Sequence, residues 1–200
     1  GGMPGELSMN WKAKGIGTFD CEFGYSCMGY ELAGGWGAAM ADPSREVFVM
    51  VGDGSYLMMN SDIYSSVITG HKMIVVVCDN AGFLVIDRLQ RAKGVPSFNN
   101  SLDTCRGTNT DARVDFAKHA EAMGAVGIRV KSIGDLEDAV RQAKAADRTT
   151  VIHIDIHPTD WTGNDNSWWE CGTPEVSERE AVKAARHDHV AAKKKQRVGV

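Results

Sequence analysis

Two short apolar runs, each ending in a turn with an acidic or amide side chain, constrain the fold more than any other feature. Residues 47–51 lead directly into Gly52-Asp53-Gly54-Ser55, and residues 73–78 lead into Asp79-Asn80-Ala81-Gly82. Almost every position in both runs is apolar, which is typical of parallel strands covered by helices on both faces. Ile63, Val67 and Ile68 lie between the runs at helical spacing, as expected of a strand–helix–strand unit.

The same alternation continues to residue 158 and predicts an α/β fold. We expect an open, mainly parallel sheet with helices on both faces. The predicted helices cover residues 28–40, 60–70, 114–123 and 132–146, and two further strands cover residues 127–130 and 149–156. The predicted organisation is a connecting segment at residues 1–20, an α/β domain at 21–158, and a C-terminal extension at 159–200 that ends in a basic tail.

Charge and composition exclude several classes of protein. A net charge of −4 and a pI near 5.9 argue against nucleic acid as the main partner. No apolar run approaches the roughly 20 residues that a membrane-spanning helix needs. The five cysteines include no C-x-x-C pair, which indicates reduced thiols and a cytoplasmic protein. The chain begins with Gly1 rather than Met, so we expect it to be part of a longer protein.

The two strand-end turns predict a metal–diphosphate site. Ligands in open α/β sheets bind at the carboxyl ends of strands, so neighbouring strands would bring Asp53 and Asn80 to one crevice. A carboxylate, an amide oxygen and a backbone carbonyl form the all-oxygen ligand set that Mg²⁺ prefers, with substrate phosphates completing its coordination. The glycines beside Asp53 allow backbone N–H groups to turn toward phosphate.

Two alternatives compete with this interpretation. A strand followed by Gly-x-Gly, a helix, a strand and Asp79 imitates a dinucleotide-binding fold. However, Leu57 occupies the third glycine position, and the Asp53 charge would face a pyrophosphate with no cation between them. The other alternative is a purely structural turn without a ligand. A metal ion removes the charge conflict, so the sequence favours the metal–diphosphate site.

Gly52-Asp53-Gly54-Ser55, followed 27 residues after Asp53 by Asn80, resembles the motif of thiamine diphosphate-dependent enzymes. The resemblance implies that Asp53, the Asn80 side chain and the Gly82 carbonyl hold Mg²⁺. It also implies that Gly52, Gly54, Ser55 and Phe83 contact the diphosphate of thiamine diphosphate. One residue departs from the pattern, because Asp79 stands where the family has the first of two asparagines.

A second segment, Gly24 to Gly29, resembles the part of these enzymes that lies beneath the cofactor's two rings. The resemblance implies that Met28 holds the cofactor in its bent form and that the Ser26 carbonyl accepts from the aminopyrimidine. Residues 25–31, Ser167-Trp168-Trp169 and residues 174–177 are most similar to one subfamily, the trihydroxycyclohexanedione hydrolases of inositol catabolism. This resemblance implies hydrolysis of a C–C bond in a cyclic 1,2-dione.

The family resemblance also implies what this chain lacks. The activating glutamate is expected on a pyrimidine-binding domain, from the same or a partner chain, so this chain alone should be inactive and the enzyme a homo-oligomer. Two other functions stay open: an acetolactate-synthase-like carboligase or 2-oxoacid decarboxylase, and a non-catalytic assembly module of the same fold. Asp53 and Asn80 argue against the module, which would have no need for paired oxygen ligands.

His153, Asp155 and His157 alternate along the last predicted strand and could suggest a second metal site. Ile152, Ile154 and Ile156 occupy the opposite face of that strand. We therefore interpret the three polar residues as a polar strand end or an interface rather than as a transition-metal site.

Overall fold

The computed structural model describes residues 2–22, 25, 27–105, 112–160 and 171–197. Within these residues the chain forms eight α-helices, four β-strands and one 3₁₀ turn. In chain order they are α1 (Gly2–Asn10), α2 (Tyr30–Ala41), β1 (Phe48–Gly52), α3 (Asp53–Met58), α4 (Ser61–Thr69), β2 (Ile74–Asp79), α5 (Leu84–Ala92), the 3₁₀ turn (Leu102–Thr104), α6 (Phe116–Ala122), β3 (Val126–Val130), α7 (Ile133–Ala145), β4 (Thr150–Asp155) and α8 (Glu180–Lys193).

The four strands form one parallel sheet in the order β1-β2-β4-β3. The register pairs Gly52 with Cys78, and Asp79 with Asp155. The carboxyl ends of β1, β2 and β4 therefore lie side by side. The prediction of an open, mainly parallel α/β sheet is confirmed.

Alternate residues of β2 pack into two separate cores, one on each face of the sheet. Val75 and Val77 belong to the core that α2, α3, α4 and α6 cover, with Tyr56 and Phe116 as its largest buried side chains. Ile74 and Val76 belong to the opposite core, which α7 covers and against which Met3 of α1 packs. Burial on both faces explains why the predicted strands are continuously apolar.

Local signals set the helix ends. Gly70 adopts φ 71° and closes α4, where a left-handed conformation favours glycine. The Ser132 side chain accepts from the N–H of Asp135 and caps α7, as its sequence predicts. Asp115 caps α6 in the same way through Lys118 N–H, so that helix begins at Phe116, two residues later than predicted.

Three helices, α1, α3 and α5, were not among the predicted elements. Residues 2–10, expected to be part of a connecting segment, form α1, and Pro4 lies in its first turn, where a missing N–H costs no hydrogen bond. The chain also enters α3 directly at Asp53, which makes Asp53 the first helical residue after β1. Among the residues that the structure describes, no helix has the length and apolarity needed to cross a membrane.

Candidate functional site

A cavity of about 140 Å³ opens at the carboxyl ends of β1, β2 and β4. The two strand-end turns predicted from the sequence form its centre. Its walls also include residues from α1, from the start of α5 and from the chain after β4. The lining residues are Met3, Glu6, Met28, Gly52, Asp53, Gly54, Ser55, Cys78, Asn80, Gly82, Phe83, Leu84, Val85, Ile86, Ile156, His157 and Asp160.

Three polar groups converge in this cavity from two turns far apart in sequence. The end of the Asn80 amide that faces the cluster lies 3.0 Å from the Gly82 carbonyl oxygen and 3.3 Å from Asp53 Oδ1. The other Asp53 oxygen, Oδ2, accepts a 2.8 Å hydrogen bond from Gly82 N–H. The structure thus brings Asp53, Asn80 and Gly82 together.

The spacing of these groups fits a divalent cation. Octahedral Mg²⁺ binds oxygens at about 2.1 Å, so two neighbouring ligand oxygens lie about 3.0 Å apart. With the Asn80 amide oxygen inward, three acceptors face each other with no proton between them, an arrangement that a cation stabilises. With the amide reversed, its nitrogen would donate to Gly82 O and Asp53 Oδ1 instead. The first orientation is the one in which the three residues fit a metal ion.

The turn after β2 has a backbone conformation that exposes the Gly82 carbonyl. The Asp79 carboxylate accepts from Ala81 N–H at 2.8 Å, which closes a tight turn. Ala81 then adopts φ 66° and Gly82 adopts φ 149°, both in the region that favours glycine. A Cβ on Gly82 would collide with the backbone of Asn100, so this position requires glycine on both grounds.

The two aspartates at the strand ends have opposite pKa shifts. Burial, together with the Asp79 carboxylate, raises the pKa of Asp53 to about 6, against the opposing effect of hydrogen bonds from Gly82 and Gly54 N–H. Burial also raises the pKa of Asp79, but the hydrogen bonds from His153 and Ala81 outweigh it and leave that pKa below its ordinary value. Below about pH 6, in the ion-free protein, Asp79 therefore holds the negative charge and Asp53 is mostly protonated.

We expect one carboxyl group of the ion-free protein to titrate near pH 6, because the pKa of Asp53 is raised to about 6 from 3.8. A carboxyl group whose pKa is raised by folding lowers the free energy of unfolding when it is ionised. This loss of stability is absent below about pH 4 and complete above about pH 6. Carbon-detected NMR of the aspartate carboxyl groups measures this directly, with Asp53→Asn to assign the signal. Titration of all carboxyl groups below about pH 5 would contradict it.

His153 connects Asp79 to the core. Its Nε2 lies 3.3 Å from Asp79 Oδ2 and 3.4 Å from Asp155 Oδ1, and the ring is fully buried against the edge of Phe116. Of the three alternating residues, His153 is therefore buried, whereas Asp155 and His157 are exposed at the end of the strand. β4 is an inner strand covered on both faces, so its alternating polar residues cannot all reach solvent. Sequence alternation alone does not distinguish this case from an exposed strand.

The remaining predicted cofactor residues that the structure describes lie around the same cavity. Gly54 and Ser55 form the first turn of α3, and the Phe83 ring lies against Gly54 so closely that a Cβ there would collide with it. Met28 is half-buried in the cavity wall, just before Gly29 and α2. Ser26 lies outside the described residues.

Nine of the wall residues were not among the predicted site residues, and the polar ones and those from α1 are Met3, Glu6, His157 and Asp160. Met3 and Glu6 belong to α1, whose Gly- and Pro-containing sequence concealed its helix. His157 Nδ1 accepts from the backbone N–H groups of Thr159 and Asp160, at 3.3 and 3.1 Å. The sequence could have indicated His157, because this residue lies two positions beyond the end of β4 and β4 lies next to β2 in the sheet.

Comparison with known proteins identifies this arrangement. Residues 3–154 match the family described as thiamine pyrophosphate enzyme, C-terminal TPP binding domain. The 3D-(3,5/4)-trihydroxycyclohexane-1,2-dione hydrolase 2 of a Bacillus cereus strain is 38% identical over an alignment of 202 residues that covers 98% of this chain and 31% of that protein. The corresponding hydrolase of Geobacillus thermodenitrificans is 39% identical over 190 residues, 92% of this chain and 30% of that protein.

Solved structures agree with the fold. A thiamine diphosphate-dependent 4-hydroxybenzoylformate decarboxylase from Rhodococcus jostii RHA1 matches with a TM-score of 0.54 at 24% identity, over 65% of this chain and 23% of that chain. Benzoylformate decarboxylase from Polynucleobacter necessarius matches with a TM-score of 0.57 at 23% identity, over 66% of this chain and 24% of that chain. The chain thus spans under a third of the length of the relatives that it matches. On the match over residues 3–154, it belongs to the thiamine pyrophosphate enzymes, whose C-terminal TPP-binding domain it contains.

Proposed function

We propose that this chain holds Mg²⁺ and the diphosphate of thiamine diphosphate in a hydrolase that cleaves a C–C bond of a cyclic 1,2-dione. The observation that carries the metal site is the position of the Asn80 amide, which lies 3.0 Å from Gly82 O and 3.3 Å from Asp53 Oδ1. The family match supports thiamine diphosphate as the cofactor. The names of the relatives at 38–39% identity support the proposed reaction.

Each site residue has a separate role in this proposal. Asp53, Asn80 and the Gly82 carbonyl hold the cation, which in turn holds the diphosphate. Backbone groups of Gly52, Gly54, Ser55 and Phe83 surround the diphosphate, next to the start of α3 at Asp53. Met28 supports the cofactor rings from the cavity wall. When bound, thiamine diphosphate supplies a ring that accepts the electrons released by C–C cleavage.

The complete reaction needs groups that we place outside this chain. We propose that a pyrimidine-binding domain, from the same or a partner chain, supplies the activating glutamate, and that the enzyme is a homo-oligomer. The substrate would be a trihydroxycyclohexanedione, as in the inositol catabolism that the subfamily resemblance implies. The five free cysteines support a reducing, cytoplasmic compartment.

Thermal unfolding tests the cofactor site. We expect Mg²⁺ and thiamine diphosphate together to raise the melting temperature by about 5–10 °C, and each alone to raise it by much less. A ligand present at about 100 times its Kd stabilises a fold by about 2.7 kcal/mol. Thiamine with Mg²⁺ is the control that lacks the diphosphate. Equal shifts with and without the metal would overturn the proposed cation bridge.

A complementation assay tests the substrate. We expect the chain alone to turn over no dione, and the remaining two-thirds of the Geobacillus hydrolase to restore cleavage of the cyclic dione when mixed with it. Release of CO₂ from a 2-oxoacid instead would favour the decarboxylase alternative. Failure to bind thiamine diphosphate at all would favour the non-catalytic assembly module.

A further inference from the structure

A second segment of chain, residues 95–102, forms hydrogen bonds to the turn that contains Gly82. Phe83 N–H donates to Asn100 O at 2.7 Å, and Leu102 N–H donates to Ala81 O at 3.0 Å. These two bonds pair Gly82 with Ser101 as an isolated antiparallel bridge. Gly82 is thus fixed between the Asp53 carboxylate on one side and residues 100–102 on the other.

A single side chain of α5 connects both ends of this segment. Gln90 Nε2 donates to Pro96 O at 2.5 Å, and Gln90 Oε1 accepts from Asn100 Nδ2 at 2.7 Å. The Gln90 carbonyl also accepts from Val95 N–H at 3.2 Å, where the chain leaves α5. Gln90 and Asn100 are both half-buried, so their amide pair is partly protected from competition with water.

We propose that the Gln90–Asn100 amide pair positions the Gly82 carbonyl for the cation, and that Gln90 is therefore a positioning residue of the metal site. The side-chain bond from Asn100 to Gln90 places the Asn100 backbone, whose carbonyl fixes Phe83 N–H next to Gly82. Gln90 itself is not among the residues that line the cavity. Its effect on the cation is indirect, through hydrogen bonds in series. This inference rests on the proposed metal site.

The arrangement has a reciprocal consequence. If residues 95–102 hold the Gly82 carbonyl in place for the cation, then binding of the cation must stabilise the bonds between this segment and the turn. The amide protons of Phe83 and Leu102 report on those bonds. Their hydrogen exchange should slow when Mn²⁺ and thiamine diphosphate bind.

The test measures Mn²⁺ binding by electron paramagnetic resonance in the presence of saturating thiamine diphosphate. Gln90→Met keeps the side-chain length and removes both hydrogen bonds, and we expect it to weaken Mn²⁺ binding by about 3- to 10-fold. Gln90→Glu keeps the acceptor for Asn100 and should lose less affinity. Gln142→Met, on the exposed surface of α7, is the matched control and should leave the affinity unchanged.

The outcomes separate this inference from the proposed function. Absence of Mn²⁺ binding in the unaltered chain contradicts the metal site itself. Normal binding in the unaltered chain and in Gln90→Met overturns only the positioning role. A purely structural role would lower the melting temperature of Gln90→Met without a change in Mn²⁺ affinity, and this outcome also overturns it. Asn100→Leu combined with Gln90→Met should weaken binding no further than Gln90→Met alone, because Gln90→Met already removes the bond between the two side chains.

Discussion

Asp53→Asn is expected to weaken binding of Mg²⁺ with thiamine diphosphate by more than about 100-fold, because removing even an outer partner of a metal ligand costs about 10- to 100-fold. The substitution removes the charge that attracts the cation and keeps the shape of the side chain. An asparagine oxygen can still accept from Gly82 N–H, which bonds Asp53 at 2.8 Å in the unaltered chain. The turn should therefore keep its conformation, so that the loss reports on the ion. Calorimetric titration measures it.

The same variant should not lose stability when no ion is bound. The pKa of Asp53 is raised to about 6, so its ionised form opposes folding at neutral pH. That cost is on the order of 1–3 kcal/mol. Asp53→Asn removes it, and we expect an unchanged or higher melting temperature for the ion-free protein. Asp138→Asn, at an exposed position on α7, is the control. Retention of full cation affinity in Asp53→Asn would refute the assignment of Asp53 as a ligand.

Phe116→Ala is expected to destabilise the fold by about 3–5 kcal/mol, the usual cost of removing a buried phenylalanine ring. Phe116 is 2% exposed, and its ring meets both Tyr56 and His153 edge-on, with centroids 5.1 Å apart in each pair. These contacts join α3, α6 and β4 beneath the site. For a chain of this size the loss corresponds to a fall of about 6–20 °C in melting temperature. Urea unfolding measures the free energy.

Phe48→Ala provides the matched control, because the Phe48 side chain on β1 is 44% exposed. We expect that variant to lose about 1 kcal/mol or less, since a surface position leaves little cavity behind. Similar losses for the two variants would mean that Phe116 is not central to the core. Because the total stability of a domain is only about 5–15 kcal/mol, Phe116→Ala should also be studied below room temperature.

The strands and the polar residues at their carboxyl ends could be predicted because each depends on local sequence alone. Continuous apolar runs required a sheet covered on both faces, and Asp53 and Asn80 directly follow such runs. Parallel pairing then brings the two side chains together without further information. The end of α4 at Gly70 and the helix cap at Ser132 could be predicted for the same reason.

Features that depend on contacts between distant segments could not be predicted in this way. The burial of His153 follows from the place of β4 inside the sheet, which no local pattern encodes. α1 has almost no apolar periodicity, and its contribution to the cavity wall comes from Met3 packing on the sheet. The bonds from residues 100–102 to the Gly82 turn join segments without any shared motif.

The most direct test of the metal site is a crystal structure of the chain grown with Mn²⁺ and thiamine diphosphate, with anomalous diffraction to locate the metal. We predict a single anomalous peak bounded by Asp53 Oδ1, the Asn80 amide oxygen and the Gly82 carbonyl oxygen, about 2.1–2.2 Å from each. A structure with no anomalous peak there, in which the Asn80 side-chain nitrogen donates to Gly82 O, would contradict the proposed metal site.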